Sequence, residues 1–320
     1  MKNWMRNSKY ELFFHNIYNI INYVKGNNKV YKLQSDYYQS TPFFIVGSGR
    51  SGNTLLRSML IGERENGIVI PPESYVLGNV VKKYHKMARV NNIKWEDLCA
   101  VVTSTFTNHQ EFKLWGLDDR DIEKSLLEIP RDHRSLDQMI IRIYKLYGES
   151  LGIDTKMWGD KTPLNVFNLN VINKTFPEAK FIHLIRDGRD VASSYVKSGL
   201  YSDITEACER WNQSLHHVNK FSKYKSSNKI MDIKYEDLIY HPEDELKRIC
   251  DFLNISFSDS MLNRDTQINL GDVEGLSHHE NVKNPINSSS IGKWKKDLDS
   301  SDQQKVNDLC YQNLLRYGYA

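Results

Sequence analysis

Residues 42–60, Pro-Phe-Phe-Ile-Val-Gly-Ser-Gly-Arg-Ser-Gly-Asn-Thr-Leu-Leu-Arg-Ser-Met-Leu, constrain the fold more than any other stretch. The apolar run at its start is too short for a helix and rich in aromatic and β-branched residues, which predicts a buried strand. Three glycines follow within six residues, and Leu55, Leu56, Met59 and Leu60 then recur at helical spacing. Strand, glycine loop and helix N-terminus together build a phosphate cradle. The glycines let backbone N–H groups turn inward, and the first helical turn offers unpaired donors at the positive end of the dipole. An ordinary glycine turn between a strand and a helix is the plainer alternative.

The spacing from Gly47 to Gly52 is nearly that of a P-loop, but Asn53 stands where the nucleotide-gripping lysine belongs, and the cation sits inside the loop as Arg50. A magnesium-dependent NTPase is therefore disfavoured, while a grip on the 5′-phosphate end of another nucleotide stays open. With 320 residues and a net charge of +3, the chain has no broad basic surface for nucleic acid. Cys99, Cys208, Cys250 and Cys310 lie far apart and read as reduced core residues, neither a disulfide framework nor a zinc site. No His/Asp/Glu spacing suggests any metal. Met1 to Lys9 is polar, and the apolar stretch around Ile17–Val24 is broken by Asn19 and Asn22. No transmembrane segment is expected, and the expected compartment is the cytoplasm.

Short apolar runs at 43–46, 67–70, 157–161, 180–186 and 229–235 alternate with helical patterns. That predicts an α/β fold: a P-loop-like parallel sheet with helices on both faces. Residues 1–41 read as a helical N-terminal extension, residues 42–320 as the main domain, and 76–155 as a mostly helical insertion suited to acceptor specificity. Leu164–Phe176 and 204–224 read as helices, as does a closing segment from Asp302 to Tyr317. Residues 271–293 read as loop. In parallel sheets the ligand lies beyond the carboxyl ends of the strands. The residues at those ends are Arg50, Glu73, Lys161, Arg186 and Tyr235. Arg186 and Ser194, two helical turns apart, could share one phosphate group, or Arg186 could pair locally with Asp187.

Five motifs in order, Gly47–Leu56, Asp160–Pro163, Ile185–Ser194, Lys234–Leu238 and Gly292–Trp294, resemble sulfotransferases that use 3′-phosphoadenosine 5′-phosphosulfate (PAPS). Within that family the chain is most similar to the tyrosylprotein branch and its bacterial relatives. The resemblance implies that Arg50, Ser51, Gly52, Asn53 and Thr54 hold the 5′-phosphosulfate. Arg186 and Ser194 would hold the 3′-phosphate, and Tyr235 would contact the nucleotide. Lys293 would close over it, with Ser277 near the family's late serine at a different spacing. Lys161 would lie near the transferred group, and Glu73 would be the general base.

The chain departs from the pattern at Asn53, where many relatives have threonine, and at Ser198, where tyrosylprotein enzymes carry arginine beside the 3′-phosphate; Lys197 is adjacent. The expected reaction is in-line sulfuryl transfer without a metal, with Arg50 and Lys161 stabilising developing charge. The expected partner is a hydroxyl-bearing acceptor, with saccharide, lipid-linked glycan or small metabolite favoured because of the cytoplasmic expectation. Protein tyrosine is the alternative. A P-loop kinase or an inactive nucleotide-binding protein are the alternatives from other classes, and a homodimer stays open. His183 reads as core, His278 and His279 as second-choice bases, and Trp158 and Trp294 as buried residues or stacking partners.

Overall fold

A computed structural model describes residues 34–62, 66–90, 92–223, 228–263 and 287–320. Five parallel strands form one sheet in the order β2-β3-β1-β4-β5: β1 (Phe43–Gly47), β2 (Ile68–Val69), β3 (Met157–Lys161), β4 (Lys180–Ile185) and β5 (Ile230–Lys234). The register aligns Phe43 with Gly159 on one side and with Lys180 on the other. The described α-helices are α1 (Asn53–Leu60), α2 (Leu77–Met87), α3 (Trp95–Thr107), α4 (Asp119–Leu127), α5 (Leu136–Ser150), α6 (Leu169–Thr175), α7 (Gly188–Lys197), α8 (Ile204–Ser222), α9 (Tyr235–Tyr240), α10 (Pro242–Leu253), α11 (Trp294–Asp297) and α12 (Ser300–Arg316).

Strand β1 shows why both sheet faces are covered. Successive side chains point to opposite faces. Phe44 and Val46 enter one core with Trp95, Trp115, Tyr144 and Trp158; Phe43 and Ile45 enter another with Leu56, Leu60, Leu246 and Leu253. A strand apolar on both faces belongs in the middle of a parallel sheet, where β1 sits. A third core around Trp211 joins α7, α8 and α12, and holds the facing thiols of Cys208 and Cys310. All four cysteines are free and buried.

Residues 76–155 carry the chain from β2 to β3 as four α-helices and share the core that holds Phe44. They therefore form the helical layer on one sheet face. The end of the N-terminal segment docks on this layer: Ser35 N donates to Asp137 Oδ2 at 3.0 Å and Tyr38 N to Gln138 Oε1 at 2.6 Å. The rest of the expected N-terminal helix lies outside the described residues.

Two local expectations change. Leu164–Phe176 is not one α-helix: Pro163–Asn168 forms a 3₁₀ helix, and α6 follows. The Asn165 amide donates to Asp160 at 2.7 Å and its backbone N–H reaches back to the Thr162 carbonyl, which holds the first turn tight. Tyr235 opens α9 and does not end β5.

Candidate active site

Strand β1 lies between β3 and β4, so the chain switches from one side of the sheet to the other as it passes from β3 to β4. The crevice at that switch point is where a ligand fits a parallel sheet. A cavity of about 470 Å³ opens there, lined by Arg50, Thr54, Glu73, Arg186 and Tyr235 among others. These residues come from four separate strand ends.

The loop between β1 and α1 has little conformational choice. Gly52 has φ +94°, and a Cβ there would sit 2.4 Å from the Tyr235 ring. Only glycine combines that backbone with that approach. Arg50 also lies in the left-handed region, at φ +66°. The Ser51 hydroxyl is buried with no hydrogen-bond partner. Asn53 lines the cavity, and its side-chain amide donates to the Ser48 carbonyl at 2.9 Å and so braces the loop.

Arginines gather at this loop. Arg50 Nε donates to Ser194 Oγ at 3.0 Å, and Arg186 Nη1 donates to the Arg50 carbonyl at 2.9 Å. Burial first, and the neighbouring Arg186 second, lower the Arg50 pKa from its usual value. The Arg186 guanidinium also lies 4.8 Å from the Tyr235 ring centre and donates to the Ser290 carbonyl, while its buried Nε has no partner. Asp187 does not pair with Arg186. It caps α7 and takes Arg189 instead, at 2.7 Å. Two close guanidiniums and an unsatisfied buried N–H make a fitting grip for phosphate oxygens, while Ser51 is buried behind the loop and does not line the cavity.

Across the cavity, Lys161 Nζ donates to Glu73 Oε1 at 2.6 Å and to Thr54 Oγ1 at 3.3 Å. The Lys161 side chain is fully buried and that of Glu73 is 13% exposed. One cation and one carboxylate thus meet at the floor, beside the first turn of α1.

The remaining sequence candidates divide. Lys293 is exposed and does not line the cavity; the same loop offers the Ser290 carbonyl. Lys197 points to the surface and pairs with Asp297 at 3.2 Å, so it does not replace the arginine missing at Ser198. Ser277, His278 and His279 lie outside the described residues. His183 is a core residue whose Nδ1 meets Asp232 at 2.8 Å. Trp158 is buried against Tyr144, and Trp294 packs on Arg189. Neither lines the cavity.

The sequence reading missed Tyr75, Leu164, Tyr195, Leu200, Tyr201 and Arg210 on the cavity wall. Tyr75 adopts φ +55° and stacks on His109 at 4.9 Å. Tyr195 Oη meets Ser48 Oγ at 3.1 Å.

A family model described as the sulfotransferase family matches residues 42–259. The chain belongs to the sulfotransferase family. It is an enzyme of that family. Among its relatives, the zebrafish (Danio rerio) protein-tyrosine sulfotransferase 1 is 24% identical over 306 residues, covering 90% of this chain and 77% of that protein. The Drosophila melanogaster protein-tyrosine sulfotransferase is 23% identical, covering 84% of this chain and 49% of that protein. The sulfotransferase domain of the Synechococcus PCC 7002 olefin synthase shares the fold, with a TM-score of 0.58 at 22% identity over 86% of this chain and 96% of that domain.

The likeness to protein-tyrosine sulfotransferases overturns the cytoplasmic expectation. That expectation leaned on a polar Met1–Lys9 stretch and a broken apolar run after it, in a chain that spans only part of these relatives' length. Among the described residues, no helix of this sulfotransferase is long and apolar enough to cross a membrane.

Proposed function

We propose that this sulfotransferase moves the sulfuryl group of PAPS to the phenolic hydroxyl of a protein tyrosine, with Glu73 as general base. The observation that carries the reading is the Glu73–Lys161 pair at 2.6 Å on the floor of a cavity whose other wall is the two-arginine loop. In this reading Arg50, the N–H groups at the start of α1 and Thr54 hold the 5′-phosphosulfate. Arg186 and Ser194 hold the 3′-phosphate, and Tyr235 flanks the nucleotide. Ser277 and Lys293 complete the proposed donor set from the late loop.

Glu73 takes the acceptor proton as the acceptor oxygen bonds to sulfur. The bond between sulfur and the bridging phosphate oxygen breaks, and adenosine 3′,5′-bisphosphate leaves with that electron pair. Proton removal by a positioned carboxylate is worth roughly 10²–10⁴-fold in rate. Lys161 and Arg50 stabilise charge on the bridging oxygen from a site with little water, where each is worth more than in solvent.

The aromatic and apolar wall of Tyr75, Pro163, Leu164, Leu200 and Tyr201 supports a flat phenolic acceptor. The named relatives support it too. The preference for a saccharide or metabolite rested on a cytoplasmic location and loses its ground with it. Residues 76–155 put no described side chain on the cavity wall; the block bears on the acceptor side only through His109, which stacks on Tyr75.

The test is transfer of radiolabelled sulfate from PAPS to a tyrosine peptide, beside its Tyr→Phe version and an oligosaccharide. Labelling that needs the tyrosine supports the reading; labelling of the sugar alone sinks the tyrosine assignment. Titration with adenosine 3′,5′-bisphosphate and AMP tests the donor site separately. Arg186→Ala should abolish the preference for the bisphosphate, and an unchanged preference would remove Arg186 from the site.

A further inference from the structure

Strand alternation sends Lys161 toward Glu73 and Thr54, beneath the cavity, and its neighbours Asp160 and Thr162 to the opposite side. Asp160 and Thr162 are both buried. The Tyr144 hydroxyl donates to Asp160 Oδ2 at 2.5 Å, and the Asn165 amide to Oδ1 at 2.7 Å. The hydroxyls of Ser74 and Thr162 also stabilise this carboxylate, against a burial that otherwise raises its pKa. The Thr162 oxygen accepts the Ser74 backbone N–H at 3.0 Å and lies 3.4 Å from the Ser74 hydroxyl, so both hydroxyls form one cluster at the Asp160 carboxylate. Ser74 directly follows Glu73, and Tyr75 after it holds a left-handed backbone. A tyrosine keeps that conformation only where its surroundings over-determine it. Here the Ser74 bonds fix it on one side and the His109 stack on the other.

We infer that Asp160 and Thr162 are positioning residues that fix the backbone of Glu73 and so aim its carboxylate at the acceptor. The inference rests on the reading of Glu73 as base. Asp160 acts through the Thr162 hydroxyl and Ser74, and Tyr144 carries the same network into the helical layer at α5. Burial and the Asp160 charge push the Tyr144 phenol well up, so it remains a donor to Asp160. The second residue of the Asp-Lys-Thr motif therefore touches the reaction, while the first and third hold the base that works opposite it.

The experiment compares Thr162→Val, Thr162→Ser and Asp160→Asn in the wild-type and Glu73→Gln backgrounds. Turnover is read with PAPS and a tyrosine peptide, and binding of adenosine 3′,5′-bisphosphate by calorimetry. Thr162→Val and Asp160→Asn should lower kcat about 10- to 100-fold, as expected for a misplaced reacting group. Bisphosphate affinity should stay within about twofold, since the donor grip is untouched. Thr162→Ser should restore kcat, and in the Glu73→Gln background the same changes should cost almost nothing more.

A loss of bisphosphate affinity parallel to kcat, or full additivity with Glu73→Gln, would overturn the inference. Full activity of Glu73→Gln itself would instead remove the base assignment. A crystal structure of Thr162→Val with adenosine 3′,5′-bisphosphate decides without an acceptor. Glu73 displaced from Lys161 by about 1 Å or more supports the inference, and an unmoved carboxylate refutes it.

Discussion

The Glu73–Lys161 pair can be tested as physics before any acceptor is known. The lysine is wholly buried and the glutamate nearly so, at 2.6 Å. Breaking a buried pair from one side leaves a charge without its partner, which costs more than removing both charges. Glu73→Gln keeps an acceptor near the ammonium, and Thr54 Oγ1 stays 3.3 Å away, so its cost falls at the low end, about 2 kcal/mol. Lys161→Met strands a carboxylate that water can still reach, at about 2 kcal/mol by the same reasoning. The double variant puts an amide beside a thioether, with no charge to desolvate, so its cost should not exceed either single one. The coupling energy is then about 2 kcal/mol. Unfolding entropy of roughly 2.1 cal/mol/K per residue makes each kcal/mol worth about 1.5 °C in Tm for a chain this long. Each single variant should lose about 3 °C, and the double no more than that. Urea unfolding followed by tryptophan fluorescence gives the free energies directly, with Trp158 in the same strand as Lys161 as a local reporter. Costs that add to within about 0.5 kcal/mol would show that the two charges do not sense each other.

Gly52→Ala forces a Cβ to within 2.4 Å of the Tyr235 ring at φ +94°; it should abolish bisphosphate binding measured by calorimetry, and retained affinity would show that the loop can re-form. Burial pushes the Cys99 thiol up to about 12 and that of Cys250 to about 11; the native protein should therefore leave both unlabelled by a thiol reagent at pH 8, and rapid native labelling would refute their burial. Burial also raises the Glu236 carboxyl, which accepts from Tyr319 at 2.7 Å and from the Asp187 N–H at 3.1 Å. A carboxyl with a raised folded pKa binds its proton more tightly folded than unfolded, so stability is lost as pH rises from the ordinary carboxylate range through the raised value. Glu236→Gln removes that loss. The Tm difference between variant and wild type should move in the variant's favour from about pH 4 to pH 7, and a difference constant with pH would refute the assignment.

The half of the cavity proposed to hold the donor was legible because its grammar is local. A glycine at a left-handed position, a helix N-terminus and a strand-end arginine each leave a signature within a few residues, and the parallel sheet brings them to one edge. That is why Arg50, Thr54, Glu73, Arg186 and Tyr235 line the cavity, and why Lys161 lies buried beneath Glu73. Side-chain direction was less legible. Asn53 was expected to donate toward the ligand, yet the turn that places it at the first position of α1 aims its amide at the Ser48 carbonyl. Lys197, one turn past the phosphate face of α7, meets Asp297 on a helix about 100 residues later in the chain, a pairing no local pattern contains.

The half proposed to take the acceptor was illegible for a different reason. Tyr75 follows β2, Leu164 follows β3, Leu200 and Tyr201 follow α7, and Arg210 projects from α8. Each is an unremarked residue in its own segment, and only the shared edge of the sheet makes them one wall. Even the strain that marks the wall is hidden, since nothing in Pro71-Pro72-Glu73-Ser74-Tyr75 announces that the tyrosine will take φ +55°. That conformation depends on Thr162, 88 residues from Ser74, and on the His109 ring. A donor nucleotide can be gripped by short motifs because a phosphate asks for backbone N–H groups and guanidiniums in fixed geometry. The acceptor asks for a shaped surface, and part of that surface, Tyr75, is held in place by His109 from the long crossover between β2 and β3. The same crossover carries Tyr144 to Asp160, so the element that braces Tyr75 also holds the strand from which Lys161 reaches Glu73.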